Sequence, residues 1–301
     1  MNKFNIIEVK PQGYCGGVLK AIQIAKLCRM ENPDDKITIL GNLVHNQYVK
    51  KALATYNIDT VEDKTKTRLE LLDLIQDGIV IFTAHGVSHM VKEKAKEKQL
   101  KIYDASCPFV LSTQKIIQER LLEGYVVFYI GKNHHPEAES VYSTSSNIYL
   151  IESEKDIPSH IEKPIFVTNQ TTMSIYDIQF LFDAIRKMYP EARIHDEICN
   201  ATRVRQQAIL DLKDKNVDAL IVVGDPTSNN TKQLACIGKQ AGILNVFRVE
   251  TVNDIVLDHF KDCHTIAVTS GASTPTYLTR QIIDYLNNPE SKPEIDIHKI
   301  L

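Results

Sequence analysis

Residues 102–107, Ile-Tyr-Asp-Ala-Ser-Cys, return at 194–199 as Ile-His-Asp-Glu-Ile-Cys, and residues 11–17, Pro-Gln-Gly-Tyr-Cys-Gly-Gly, are a looser copy of the same motif. The cysteines of the three copies are evenly spaced: Cys15 to Cys107 is 92 residues and Cys107 to Cys199 is again 92. A helix-compatible run follows each, over 18–30, 110–122 and 201–212. Three thiols at equivalent points of three repeats predict one shared site at a threefold centre.

Working outward, each repeat keeps one order. A strand over 4–9 precedes Cys15, whose two following glycines let backbone approach a bound group at a helix start, where a thiolate is stabilised. The run 37–40 ends in Gly41 with His45 four residues on, and the run 78–83 ends in Thr83 before His85. In the second repeat Pro108 suits the first helical position. Residues 125–130 there lead to Gly131 and His135, and 163–168 to Asn169-Gln-Thr171. In the third, 219–223 lead to Gly224 and Ser228, and 264–269 to Ser270-Gly-Ala-Ser273. Cysteine-to-glycine distances are 26, 24 and 25 residues, and glycine-to-threonine distances are 42, 37 and 45.

Short apolar strands alternating with helices indicate parallel α/β units, whose ligands bind beyond the carboxyl ends of the strands. The expected fold is α/β: three pseudo-equivalent parallel-sheet lobes arranged around a central site. The lobes are expected at 1–98, 99–191 and 192–286, with an appended tail over 287–301.

The chain has 301 residues, 43% of them hydrophobic and 24% charged, with no tryptophan and a formal charge of −3. That balance argues against a nucleic-acid surface. No apolar run nears the length a membrane helix needs, and the N-terminus has no signal-peptide pattern, so a cytoplasmic location is expected with no membrane partner. In that compartment widely spaced cysteines serve as ligands or catalytic groups more often than as disulfides. Three thiolates can hold a [4Fe–4S] cluster with one iron open, or zinc with a fourth ligand such as histidine. Cys28, Cys236 and Cys263 have no repeat partners and are read as structural.

His45, His85 and His135 stand at loop positions suited to ligand contact. Six residues beyond the strand-end glycines come Gln47, Glu137 and Asn230; Glu137 is the carboxylate among them and a candidate proton donor. The loops holding Ser228, Asn229, Asn230 and Ser273 are rich in hydroxyl and amide donors of the kind that cradle phosphate.

The segments Gly-Tyr-Cys-Gly-Gly-Val (13–18), Gly-Asn-Leu-Val-His-Asn (41–46), Phe-Thr-Ala-His-Gly-Val-Ser (82–88), Asp-Ala-Ser-Cys-Pro-Phe-Val (104–110), His-Pro-Glu (135–137), Asn-Gln-Thr-Thr-Met-Ser (169–174), Glu-Ile-Cys-Asn-Ala-Thr-Arg-Val-Arg-Gln (197–206), Ser-Asn-Asn (228–230) and Thr-Ser-Gly-Ala-Ser (269–273) span nearly the whole chain. Together they resemble the 4-hydroxy-3-methylbut-2-enyl diphosphate reductase family, which performs the last step of the methylerythritol phosphate route to isoprenoids. The resemblance implies a three-lobed α/β fold and a [4Fe–4S] cluster held by Cys15, Cys107 and Cys199, with one open iron acting as a Lewis acid. It implies diphosphate binding by His45, His85, Ser228, Asn229, Asn230 and Ser273, with His135 lining the cavity. It assigns proton donation to Glu137, orientation of the leaving hydroxyl to Thr171, and electron supply to a ferredoxin or flavodoxin. The chain departs from the family at Asn229, where a second serine is usual, and at Ser106, where threonine is; His134 is an extra histidine without an assigned role. Two other readings fit three cysteines on this scaffold: an iron–sulfur dehydratase of the quinolinate synthase type, and a non-enzymatic iron or oxygen sensor.

Overall fold

A computed structural model describes residues 4–290 and 292–301. Residues 1–3 and 291, which fall within the first lobe and the tail expected above, lie outside the described residues. In chain order the strands are β1 (Asn5–Glu8), β2 (Ile37–Leu40), β3 (Ile58–Val61), β4 (Ile79–Phe82), β5 (Lys101–Asp104), β6 (Val126–Ile130), β7 (Ile148–Ile151), β8 (Ile165–Asn169), β9 (Arg193–Ile194), β10 (Ala219–Val223), β11 (Asn245–Val249) and β12 (Thr265–Ser270). They form three four-stranded sheets, ordered β1-β12-β10-β11, β5-β4-β2-β3 and β9-β8-β6-β7, with every pairing parallel.

The two inner strands of each sheet are the predominantly apolar runs read from the sequence, and every one of their residues is buried. Parallel sheets are covered on both faces, so inner strands have no polar face to offer. The outer strands carry Glu8, Lys101, Asp104, Arg193 or Arg248 and are partly exposed.

The strand that leads into each cysteine is always an edge strand, and it pairs with the sheet of the preceding repeat. Strand β5 leads to Cys107 yet pairs with β4, β9 leads to Cys199 yet pairs with β8, and β1 leads to Cys15 yet pairs with β12. The sheets are therefore offset by one strand from the sequence repeats, and the N-terminal strand closes the sheet of the third.

The chain divides into two compact units. One comprises residues 1–18, 45–52 and 200–301 and contains the β1-β12-β10-β11 sheet. Its core packs Phe4, Ile221, Val223, Phe260, Val268 and Leu286. Residues 292–301 belong to this unit. Ile300 is buried, its carbonyl accepts from the Tyr14 hydroxyl at 2.8 Å, and the Glu294 carbonyl accepts from Gln281 Nε2 at 3.0 Å. The isoleucines of this polar stretch supply the burial that its Pro, Glu and Lys content conceals. The other unit comprises residues 19–44 and 53–199 and holds the remaining two sheets.

Candidate active site

Each cysteine sits where its edge strand hands over to a helix, half-buried, directly before Gly16–Glu31, Pro108–Leu122 or Asn200–Leu210. One backbone bond recurs three times. Cys15 N donates to Ala272 O (3.0 Å), Cys107 N to Ala84 O (3.0 Å) and Cys199 N to Thr171 O (3.1 Å). Each acceptor lies in the loop after the neighbouring inner strand, so the offset pairing ties each cysteine to a loop carrying a predicted site residue: Ser273, His85 and Thr171.

The Cys15 loop is fixed further. Gly13 has φ +78°, and a Cβ there would lie 2.1 Å from Thr276 Oγ1, so only glycine fits. Its amide donates to Ser270 Oγ at 2.8 Å and its carbonyl accepts from Arg205 Nη2 at 2.8 Å. Beside Cys15 the backbone is open: a Cβ on Gly16 would meet nothing within 4 Å.

In the unit with two sheets, Glu137 is the central feature. It lies in the first turn of helix Pro136–Tyr142 with its carboxyl buried. Thr171 N donates to its Oε1 at 2.7 Å and Thr171 Oγ1 to its Oε2 at 3.0 Å. Burial pushes the Glu137 carboxyl up to about 7, against the lowering effect of the Thr171 bonds and of Tyr129. The Tyr129 hydroxyl is fully buried on this carboxyl without a hydrogen bond of standard geometry. Nothing in an apolar strand such as 126–130 marks one side chain as facing an acid, so the sequence reading passed over Tyr129.

His135 caps the same helix, its Nδ1 accepting from Glu137 N at 3.2 Å. That leaves the ring proton on Nε2 as a donor. The His85 ring meets His135 edge to face, centroids 5.6 Å apart, and Thr83 Oγ1 lies 3.4 Å from His85 Nδ1. His134 has φ +59° in the turn ahead of the helix; its part there is a backbone one.

In the other unit, Ser228 caps helix Asn229–Gln240 by accepting from Thr231 N at 3.3 Å, so its own proton is not spent on the cap. Asn229 and Asn230 are buried. Asn230 Oδ1 accepts from Ala272 N at 3.0 Å and its Nδ2 donates to Thr202 Oγ1 at 3.3 Å, which joins the two third-repeat loops. Ser273 Oγ donates to the His45 carbonyl at 2.9 Å. His45 therefore belongs with the Ser228 and Ser273 loops, although 180 or more residues of chain separate them.

Thiols at helix starts, a buried protonatable carboxyl and hydroxyl- and amide-rich loops stand together on parallel sheets, the arrangement of an α/β enzyme. The chain belongs to the LytB protein family, whose profile matches residues 6–287. Curated relatives named 4-hydroxy-3-methylbut-2-enyl diphosphate reductase include that of Exiguobacterium sp., 43% identical over 287 residues (93% of this chain, 89% of that one). The Listeria monocytogenes protein of the same name is 45% identical over 285 residues, 93% of this chain and 85% of the relative. The solved structure of the E-1-hydroxy-2-methyl-but-2-enyl-4-diphosphate reductase from Plasmodium falciparum superposes with a TM-score of 0.88 at 29% identity, covering 99% of this chain and 96% of that one. Among the described residues no helix is long and apolar enough to cross a membrane.

Proposed function

We propose that the chain reduces (E)-4-hydroxy-3-methylbut-2-enyl diphosphate to isopentenyl and dimethylallyl diphosphate. The family is an iron–sulfur one, and its members named above are diphosphate reductases rather than dehydratases or sensors. Two electrons and two protons enter and one water leaves, so the site must deliver protons in a water-poor setting. The buried Glu137 carboxyl, held on Thr171, is the observation that carries this reading.

Cys15, Cys107 and Cys199 would hold a [4Fe–4S] cluster. Their chemistry fits it: three equivalent thiols at helix starts, where unpaired amides favour anionic ligands, and open backbone beside Cys15. When bound, the cluster supplies the electrons one at a time and an open iron that polarises the C–O bond as a Lewis acid.

The remaining work belongs to side chains. With Glu137 protonated on Oε2, its O–H donates to Thr171 Oγ1, and the Thr171 proton becomes available to the substrate's leaving hydroxyl. A carboxyl poised near 7 loses little in giving up that proton at neutral pH. The bond from Thr171 N and the lowering influence of the nearby Tyr129 hydroxyl then favour the carboxylate. His45, His85, His135, Ser228, Asn229 and Asn230 provide the donors that bind and orient the diphosphate. Ser273 supports this role by holding the His45 backbone. Asn229 keeps a donor where the family usually has serine, so the loop retains its anion-binding character. A ferredoxin or flavodoxin supplies electrons, in the cytoplasm, where thiol ligands stay reduced.

The test is anaerobic turnover with cluster-reconstituted protein, a one-electron reductant and hydroxymethylbutenyl diphosphate. Both five-carbon diphosphates should form, and only with cluster and reductant together. No product from protein with an intact cluster would refute the assignment, and turnover without reductant would restore the dehydratase reading.

A further inference from the structure

Asp225 follows Gly224 at the end of β10, three residues ahead of Ser228, and it is buried. A carboxylate beside loops that bind a diphosphate repels the ligand, so its presence calls for a gain elsewhere. Hydrogen bonding supplies that gain. Asp225 Oδ1 accepts from Thr227 N at 2.8 Å and from Thr227 Oγ1 at 2.5 Å, and the Asp225 carbonyl accepts from Ser228 N at 3.1 Å. These bonds close the turn that presents Ser228.

Its other oxygen reaches a segment 178 residues away: Asp225 Oδ2 accepts from Gln47 N at 3.1 Å. Gln47 is the first residue of helix Gln47–Ala54. Asn46 Oδ1 caps the next two amides, from Tyr48 (3.0 Å) and Val49 (3.1 Å), and the Asn46 carbonyl takes the Lys50 amide at 3.3 Å. The first amide of a helix lies outside the reach of its own N-cap side chain, which serves the second and third. Asp225 completes the cap from another loop, and the residue just ahead of that cap is His45.

We infer that Asp225 is a positioning residue: one carboxylate fixes both the turn that presents Ser228 and the helix start that presents His45, and thereby sets the affinity for the diphosphate group. The inference rests on the reading of His45 and Ser228 as diphosphate ligands. The Ser273 bond to the His45 carbonyl and the Gln47 side-chain bond to Glu250 strap the same helix start to the same unit.

Asp225→Asn separates two accounts by sign. If Asp225 were a bystander charge, removing it would tighten anion binding. If it is a bridge, binding weakens, because Thr227 and Gln47 sit on different carboxylate oxygens and an asparagine would turn an NH2 group, a donor, toward one of them. Inorganic diphosphate titrated into the anaerobic holoprotein gives the equilibrium readout, and KM against kcat gives the kinetic one. The Kd for diphosphate and the KM for substrate should rise together by roughly ten- to a hundredfold, the scale of one hydrogen bond to a charged group. Iron content should hold and kcat stay within about twofold, as for lost uniform binding.

Gln47→Pro removes the amide that meets Asp225 with little cost to the helix, since proline suits the first helical position. Gln47→Ala is its reference for the lost side-chain bond to Glu250. Relative to that reference, Gln47→Pro should weaken diphosphate binding, and Asp225→Asn should add little in the Gln47→Pro background. Unchanged or tighter diphosphate binding in Asp225→Asn, or full additivity of the two substitutions, overturns the inference. If the unsubstituted protein fails to bind diphosphate and His45→Ala leaves KM unchanged, it is the site reading that has failed, and the inference falls with it.

Discussion

At the scale of single residues, Glu137 sets a function against a cost. A carboxyl raised from 4.5 to about 7 in the folded chain binds its proton more tightly there than in the unfolded chain. Its stabilising effect is therefore fully present below about pH 4.5 and is lost as pH rises through about 7, reaching roughly 3 kcal/mol. Glu137→Gln should lose most turnover while keeping its iron, and above pH 7 it should melt at a higher temperature than the parent protein. At pH 4.5 that advantage should vanish, which a pair of melting curves would check. Near-normal turnover would remove the proton-donor role. Tyr129→Phe addresses the same acid from the other side. It deletes a group that lowers the Glu137 carboxyl, so that carboxyl should titrate at higher pH. The alkaline limb of the pH–rate profile should move upward with iron content unchanged. A limb that stays in place would show that the tyrosine acts only through packing.

At the scale of elements, the inner strands were legible in the sequence because burial on both faces leaves mostly apolar runs, and the three cysteine helices because each follows a repeated motif. Strands β3, β7 and β11 were not: Asp59 and Thr60 in β3 and Asn245 and Arg248 in β11 resemble loop or helix surface, and β7 is only four residues long between polar segments. The offset of the sheets was hidden for a different reason. Periodicity reports which residues are strand, whereas the partner of a strand depends on contacts such as Asn5 with Thr265, 260 residues apart. The candidate residues divide the same way. Cys15, His135 and Glu137 could be singled out by type and spacing. Asp225 and Tyr129 could not, because one meets a helix start from a distant segment and the other lies inside a core strand. The recurring cysteine-amide bonds give each of these edge strands an anchor beyond its ladder, in a loop that carries a candidate site residue.

For the whole molecule, the decisive quantity is what the proposed ligand set does to stability. Consecutive ligands are separated by 92 residues, so a group held by all three closes two long loops of the chain. A group that binds only the folded chain also stabilises it by mass action. Removing iron anaerobically with a chelator should therefore lower the melting temperature, on the order of 5–10 °C if the gain is about 3 kcal/mol. Cys107→Ser tests whether that gain comes through the three-thiol set. The variant should lose most bound iron and sulfide, and its melting temperature should no longer respond to iron loading. Cys236→Ser alters an exposed cysteine outside the repeats and should keep both the iron and the response. If Cys107→Ser retains full iron and sulfide, Cys107 is not a ligand. If loaded and stripped protein melt together while iron is bound, the cluster does not tie these segments, and the equal spacing of the cysteines records the ancestry of the repeats alone.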